Sequence, residues 1–133
     1  MAYKSYIPLE KLDVYRLAIL LEEVSWKIYE KLDWRMKKIN GDQFIESTDS
    51  VGANVAEGYG RFHYLDKIRF YYNARGSLLE SRHWFNLLGG RKFIAKADGE
   101  QYLSIYKELR PALNALISSL MKIKQGSKIP LIS

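Results

Sequence analysis

Cysteine is absent from the 133 residues of the chain. Its absence excludes disulfide bonds, thiolate nucleophiles and thiolate metal ligands, and it is typical of cytoplasmic proteins. Histidine is scarce too: only His63 and His83 occur, and twenty residues apart they fit no metal-ligand spacing. The serines at positions 50, 77 and 81 have no histidine at a useful offset, so nucleophilic catalysis has no support. We therefore expect no metal, no cofactor and no enzymatic activity.

Long apolar runs are also missing. No run approaches the roughly 20 residues needed to cross a membrane, and the opening stretch MAYKSYIPLEKLD lacks the apolar centre of a signal peptide. We expect a soluble, cytoplasmic protein with no membrane partner. No alternating strand pattern, internal repeat or low-complexity segment occurs, and the length suits a single domain over residues 1–133.

Apolar residues recur at three- and four-residue steps, which predicts four amphipathic helices at about 9–32, 42–58, 64–89 and 98–125. Asn40-Gly41, Gly58 with Gly60, and Gly89-Gly90 separate them, and Asp42 is predicted to be the N-terminal cap or a first-turn acid of the second. Pro111 should kink the fourth helix, because proline lacks a backbone donor. The tail 126–133 has no helical pattern and is predicted to be loose. Short links between four such helices predict an all-α, up-down-up-down antiparallel four-helix bundle.

Aromatic residues are plentiful, with 10 tyrosines and 3 tryptophans. A core of four helices cannot easily bury so many, and aromatic side chains are enriched at interfaces. We therefore expect the chain to assemble with itself.

Charge is divided unevenly along the chain. Lys and Arg exceed Asp and Glu by 21 − 15 = 6, which favours a polyanionic partner. Residues 61–92 carry seven basic groups against Asp66 and Glu80, whereas residues 42–60 carry four acidic groups and no basic one. The third helix is therefore basic and the second acidic.

The basic third helix is the strongest functional signal. Tyr64, Tyr71, Arg75 and Arg82 recur at spacings of seven, four and seven residues, which predicts one stripe. Arginine holds phosphates and tyrosine stacks on unpaired bases, so this stripe suits RNA. The candidate nucleic-acid-binding residues are Arg61, Tyr64, Lys67, Arg69, Arg75, Arg82, Arg91 and Lys92. In the alternative interpretation, Arg75 and Arg82 lie at a subunit interface and pair with the acidic second helix.

Two further clusters are candidates. A polar set around the glycine corner is predicted to hold the second and third helices together, with Arg61 or Arg75 compensating Glu57; its members are Asn54, Glu57, Gly58, Arg61, Ser77 and Glu80. Asp42, Glu46 and Asp49 share one helical face and could hold a divalent cation for phosphodiester hydrolysis. The competing interpretation is that these carboxylates face water or pair with the basic helix.

The string Ser50-Val51-x-x-Asn54-Val55-Ala56-Glu57-Gly58-x-x-Arg61, followed by Ala74-Arg75-Gly76-Ser77-Leu78-Leu79-Glu80, resembles the bacterial four helix bundle proteins first found in intervening sequences of 23S ribosomal RNA genes. The resemblance covers about residues 10 to 125 and includes Tyr15, Tyr29 and Gln43. The chain departs from it at Glu46, often basic in the family, and at Gly52, often proline. It implies a ring-like homo-oligomer, usually a pentamer.

The function hypothesis is a non-enzymatic, homo-oligomeric bundle that binds RNA or another nucleic acid through the third helix and its flanks. The alternative is a protein-interaction scaffold or an accessory subunit of a nucleic-acid enzyme, since similar proteins serve reverse transcriptases in this way. A metal-dependent nuclease is a third hypothesis, which rests on the acidic stripe alone.

Overall fold

A computed structural model describes residues 7–132, and describes side chains as far as Ile123. Four long helices make up most of this range: α1 Asp13–Glu30, α2 Asp42–Tyr59, α3 Tyr64–Gly90 and α4 Lys96–Ile132. A short 3₁₀ turn, Leu9–Lys11, precedes α1, and no strand occurs between residues 7 and 132. The predicted all-helical fold is confirmed.

The four helices form a bundle in which α1 packs between α2 and α4, and α3 packs between the same two helices. Contacts between α3 and α4 run in opposite directions along the chain: Ser81 meets Tyr102, whereas the earlier Arg75 meets the later Asn114. Lys31 near the end of α1 likewise meets Asp98 near the start of α4. These pairs describe the antiparallel, up-down-up-down arrangement that the short links predict.

The core lies along the bundle axis and is built from the apolar stripe of each helix. Its centre is aromatic, with the Phe85 and Tyr102 rings stacked 3.9 Å apart and Phe44 tilted against both. The largest fully buried side chains are Tyr102, Phe44, Leu21, Ile28, Leu78, Leu88, Leu109, Leu113, Val24, Val51, Val55 and Asn40. Fully burying a side chain such as leucine contributes about 1.5–3 kcal/mol, so this stripe is the main stabilising feature.

Buried hydroxyl groups join three of the helices through the aromatic centre. Thr48 of α2 lies 2.6 Å from Ser81 of α3, whose hydroxyl lies 2.7 Å from that of Tyr102 in α4. Thr48 also donates to the Phe44 carbonyl at 2.8 Å, so each of these three hydroxyls has a partner. Buried polar groups satisfied in this way set the register of the helices.

The link between α1 and α2 differs from the prediction. Instead of turning at Asn40-Gly41, the chain is helical from Trp34, passes through a π-helical turn at Lys37–Gly41, and enters α2 directly. The N-terminal cap is Asp33, which accepts a hydrogen bond from the Met36 amide at 2.8 Å. Asp42 is not a cap but lies in the first turn of α2, the second of its two predicted roles. A Cβ at Gly41 would lie 2.8 Å from Leu32 Cδ1, so glycine serves close packing here.

Helix α4 also departs from expectation. It includes Pro111 and continues to Ile132, past the predicted end at residue 125 and through most of the predicted loose tail. Pro111 is exposed, so the carbonyl it leaves unpaired in the preceding turn faces solvent. Gly126 costs only about 1 kcal/mol relative to alanine in a helix and is not an obligatory stop. Tyr102 and Ile105 are buried in this helix, whereas Leu103 between them is 39% exposed.

Candidate nucleic-acid interface

The eight predicted nucleic-acid-binding residues fall into three groups along α3. This helix has 27 residues and is about 40 Å long at 1.5 Å per residue. The first group surrounds its start, the second lies in its middle and the third follows its end; they comprise Arg61, Tyr64, Lys67 and Arg69, then Arg75 and Arg82, then Arg91 and Lys92. The structure therefore does not bring them onto one surface.

The first group belongs to a projecting turn between α2 and α3. Phe62 is 88% exposed, Leu65 62% and Tyr64 42%, although all three are large apolar or aromatic side chains. We call this region the tip, and it consists of Arg61, Phe62, Tyr64, Leu65 and Arg69.

Two guanidiniums are held in place at the tip by one ring. The Phe70 ring centroid lies 4.8 Å from the Arg61 guanidinium and 5.3 Å from that of Arg69. Arg61 also pairs with Glu57 at 2.8 Å, and Arg69 with Asp66 at 3.7 Å. Both ion pairs are on the surface, where such pairs contribute about 0–1 kcal/mol, so the arginines can exchange these partners for a phosphate.

Lys67 points inward and supports the tip. Its ammonium group donates to the carbonyl oxygens of Gly58 at 3.3 Å and Tyr59 at 2.9 Å, at the carboxyl end of α2. A cation at this position satisfies carbonyls that have no helical partner. Burial lowers the pKa of Lys67, and the residue is less available to a phosphate than Arg61 or Arg69.

Tyr71 belongs to the core and not to the predicted surface stripe. It is 3% exposed, and burial raises its pKa to about 12. Its ring lies against Gly58, where an added Cβ would come within 2.7 Å of Tyr71 Cε1. Glycine at position 58 thus lets α3 start close to α2, and the connecting residues project outward as the tip.

The predicted corner cluster is only partly assembled. Glu57 does pair with Arg61, one of its two predicted partners, but both side chains are exposed. Asn54 donates to the Ser50 carbonyl within α2 at 2.8 Å, and Glu80 accepts from Trp84 at 3.2 Å within α3. Ser77 and Glu80 lie about 20 and 24 Å along α3 from its start, too far to contact the turn.

The middle group faces α4. Arg75 donates to Asn114 at 3.1 Å and lies over the Tyr72 ring, while Arg82 donates to Asn86 at 2.9 Å and lies over the Tyr106 ring. Beside them is an open groove of about 680 Å³, which α4 supplies with further basic groups; its lining includes Arg82, Leu103, Lys107, Arg110 and Glu100. Arg69 and Arg75 are six residues apart, so they point about 120° apart around α3.

The acidic stripe of α2 borders α1 and not α3. Asp42 accepts a hydrogen bond from Tyr29 of α1 at 2.6 Å, which raises the pKa of Tyr29. Burial raises the pKa of Asp49, and it raises that of the neighbouring Glu22 to about 7, with Asp49 and Glu23 adding repulsion. Among the residues with described side chains, no three His, Asp or Glu groups are arranged to hold a metal ion.

Three important residues were missed by the sequence analysis. Phe62 lies in a turn of four residues, and an aromatic side chain beside arginine in so short a link has little chance of reaching the core. The sequence could therefore have predicted that Phe62 is exposed. Lys107 and Arg110 in α4 had no such signal, because their position beside Arg82 depends on how α3 and α4 pack.

Within the described range, no helix is long and apolar enough to cross a membrane.

Comparisons with known proteins agree on the family and the fold. A model of the 23S rRNA-intervening sequence protein family matches residues 10–115. A crystal structure from Bacteroides thetaiotaomicron, described as a protein with unknown function from the S23 ribosomal protein family, has a similar fold with a TM-score of 0.72 and 21% identity. The similarity covers 78% of this chain and 97% of that one. No curated protein sequence matches the chain.

Proposed function

The chain belongs to the 23S rRNA-intervening sequence protein family, and we propose that it is a non-enzymatic protein that binds single-stranded RNA through the tip. The observation that carries this proposal is the exposure of Phe62, at 88%, between residues that present guanidiniums and a second aromatic ring. A large aromatic side chain so fully exposed is stabilised by a partner that covers it.

The chemistry of the tip matches an unpaired nucleotide strand. Phe62 and Tyr64 offer ring faces on which bases can stack, while Arg61 and Arg69 offer donors for the phosphates between them. A duplex has no free base face, so the tip favours loops and single strands.

Self-association in the cytoplasm is part of this proposal. The family resemblance implies a homo-oligomer, usually a pentamer, and a ring would repeat the tip around its axis. Several tips on one strand raise the effective concentration of each after the first has bound. Weak stacking at one tip would then give tight binding overall.

Salt dependence of RNA binding tests the phosphate contacts. The logarithm of the RNA-binding constant falls as the logarithm of the salt concentration rises, and each phosphate contact to a single strand makes this slope steeper by about 0.7. Arg61→Ala with Arg69→Ala should therefore make the slope shallower by about 1.4 per tip. The matched control is Arg91→Ala with Lys92→Gly, which removes two basic residues at the other end of α3 and should leave the slope unchanged.

Filter binding with a labelled single-stranded RNA over a salt series measures both variants. Equal effects of the two variants would contradict the tip as the binding site and indicate attraction by net charge alone. Magnesium added to the same reactions should leave the RNA intact; cleavage would favour the nuclease hypothesis.

The exposed Leu65 favours a second candidate function, the scaffold or accessory subunit. An apolar residue beside two arginines also suits an acidic protein surface, such as a subunit of a nucleic-acid enzyme. In that case Leu65→Ala would leave RNA affinity unchanged and abolish binding to the protein partner.

A further inference from the structure

Opposite sides of the bundle carry charges of opposite sign. The acidic face lies on α1 and α2, and its residues are Glu22, Glu46 and Asp49 with Ile19 and Trp26. The basic face lies on α3 and α4, and its residues are Arg75, Arg82, Lys107 and Arg110 with Tyr72, Leu79 and Leu103; Glu100 is its one acidic neighbour in the groove beside Arg82. Because each helix packs mainly against its two neighbours in the cycle α1, α2, α3, α4, these two faces point away from each other.

The charges on both faces lack ion-pair partners within the described part of the chain. Its ion pairs join other groups: Arg16 with Asp13, Lys27 and Lys31 with Asp98, Arg61 with Glu57, and Arg69 with Asp66. Arg75 and Arg82 instead donate to asparagine side chains. Eight charged residues are therefore left for an external partner: three carboxylates on the acidic face, and four basic residues with Glu100 on the basic face.

Each face also exposes apolar surface between its charges. Trp26 lies on the acidic face, and Tyr72, Leu79 and Leu103 lie on the basic face, all of them with more than a third of their surface accessible. On the acidic face Glu22 is drawn against α2, where a Cβ at Gly52 would overlap its carboxylate. Glu22 is half-buried and is repelled by the neighbouring Asp49 carboxylate, and an incoming cation would relieve this repulsion.

We propose that the acidic face of one copy of this chain binds the basic face of the next copy. A two-fold contact would set each face against its own kind and oppose like charges, so the complementary contact is head-to-tail. Such a contact repeats, and it closes into a ring if successive copies are rotated. The inference rests on the self-association proposed above and names the surfaces responsible.

With this contact, different groups of the predicted basic residues would bind different partners. Arg75 and Arg82 would be covered by a neighbouring copy, whereas the tip stays free at one end of every bundle. In a ring whose helices run roughly along its axis, all tips would face the same side. The assembly would thus align several RNA-binding tips without using them as contacts.

Charge reversal on exposed residues tests the contact. Glu46→Lys with Asp49→Lys reverses the acidic face, and Lys107→Glu with Arg110→Glu reverses the basic face; all four positions are exposed and lack ion pairs in the described structure. Each double variant should run near the chain mass of 15.5 kDa in size exclusion with light scattering. Circular dichroism checks that both remain helical.

Mixing the two double variants should restore assembly, because the reversed faces are complementary to each other. The quadruple variant should assemble alone for the same reason. A two-fold contact predicts no restoration in either case. Double variants that keep the wild-type mass, or a mixture that stays monomeric, would overturn the proposal.

The wild-type protein supplies an independent measurement. Raising salt from 0.1 to 1 M shortens the screening length from about 10 to about 3 Å and should weaken assembly at least tenfold. Assembly that strengthens with salt would contradict the proposal. RNA binding is measured separately. If Phe62→Ala weakens RNA binding in the double variants too, the tip is supported as the RNA site whether or not the contact between copies is correct. If the double variants become monomeric but Phe62→Ala leaves RNA binding unchanged, the contact is supported and the tip is not.

Discussion

The two turns that flank α3 have similar sequences and different structures. The first contains Gly58, Gly60, Arg61 and Phe62, and the second contains Gly89, Gly90, Arg91, Lys92 and Phe93. Phe62 is 88% exposed, whereas Phe93 is 38% exposed and its amide donates to the Leu88 carbonyl at 3.0 Å to close the helix end. Phe70 holds two guanidiniums at the first turn. A glycine, basic and aromatic composition thus exposes its aromatic ring fully only where the packing beneath it turns that ring outward.

The largest difference between the two turns should appear in the free energy of unfolding when Gly58 or Gly90 is replaced. Gly58→Ala places a Cβ 2.7 Å from the buried Tyr71 ring, and such overpacking typically costs about 1–3 kcal/mol. Gly90→Ala meets nothing within 4 Å and should stabilise the helix by up to about 1 kcal/mol. Urea unfolding of both variants measures the contrast. Similar changes at the two sites would show that Gly58 is not needed for close packing.

The glycine comparison should be made at one pH, because Glu22 makes stability depend on pH. Its folded pKa of about 7 lies above its ordinary value of 4.5, so the folded chain binds more protons between these values. Its contribution is therefore complete below pH 4.5 and is lost as pH rises towards 7. Since this carboxyl group is half exposed, we expect about 1 kcal/mol, well below the full shift. Urea unfolding of Glu22→Gln at pH 5 and pH 8 should lack this loss; an unchanged loss would rule out Glu22 as its source.

The second turn stores strain that the first does not. Lys92 has φ of 66°, the only positive φ at a non-glycine residue in the described chain. Lys92→Gly should stabilise the protein by about 1 kcal/mol, because glycine adopts this conformation without penalty. Arg91→Gly, at φ of −87°, is the control and should not stabilise. A lower melting temperature for Lys92→Gly would contradict the expectation.

The smallest effect concerns the Glu57–Arg61 pair at the first turn. A buried pair would make Glu57→Ala costly, but this pair is on the surface, where an i,i+4 interaction contributes about 0.3–0.5 kcal/mol. Glu46→Ala, which breaks no ion pair within the described chain, should cost still less. A loss above 2 kcal/mol for Glu57→Ala would mean that the pair is buried in the assembled protein.

Periodicity predicted the helices because burial requires an apolar stripe at helical spacing, and each main helix begins or ends within a few residues of its predicted bounds. Asn40-Gly41 misled the prediction, since its glycine serves close packing against Leu32 and not a turn. The candidate site was harder to predict. Charge along α3 was visible, but neighbouring arginines point in different directions, and only the packed bundle separates Arg69 at the tip from Arg75 on the basic face.

Exposure, and not composition, distinguishes the first turn as the proposed RNA-binding site. Affinity of Phe62→Ala and Phe93→Ala for a single-stranded RNA, measured by filter binding at one salt concentration, tests it directly. Removing a stacked ring costs about 1–3 kcal/mol per base, so Phe62→Ala should bind about fivefold or more weakly and Phe93→Ala as tightly as the wild type. Equal affinities for the two variants, or a larger loss at Phe93, would show that the exposed Phe62 does not mark the RNA-binding turn.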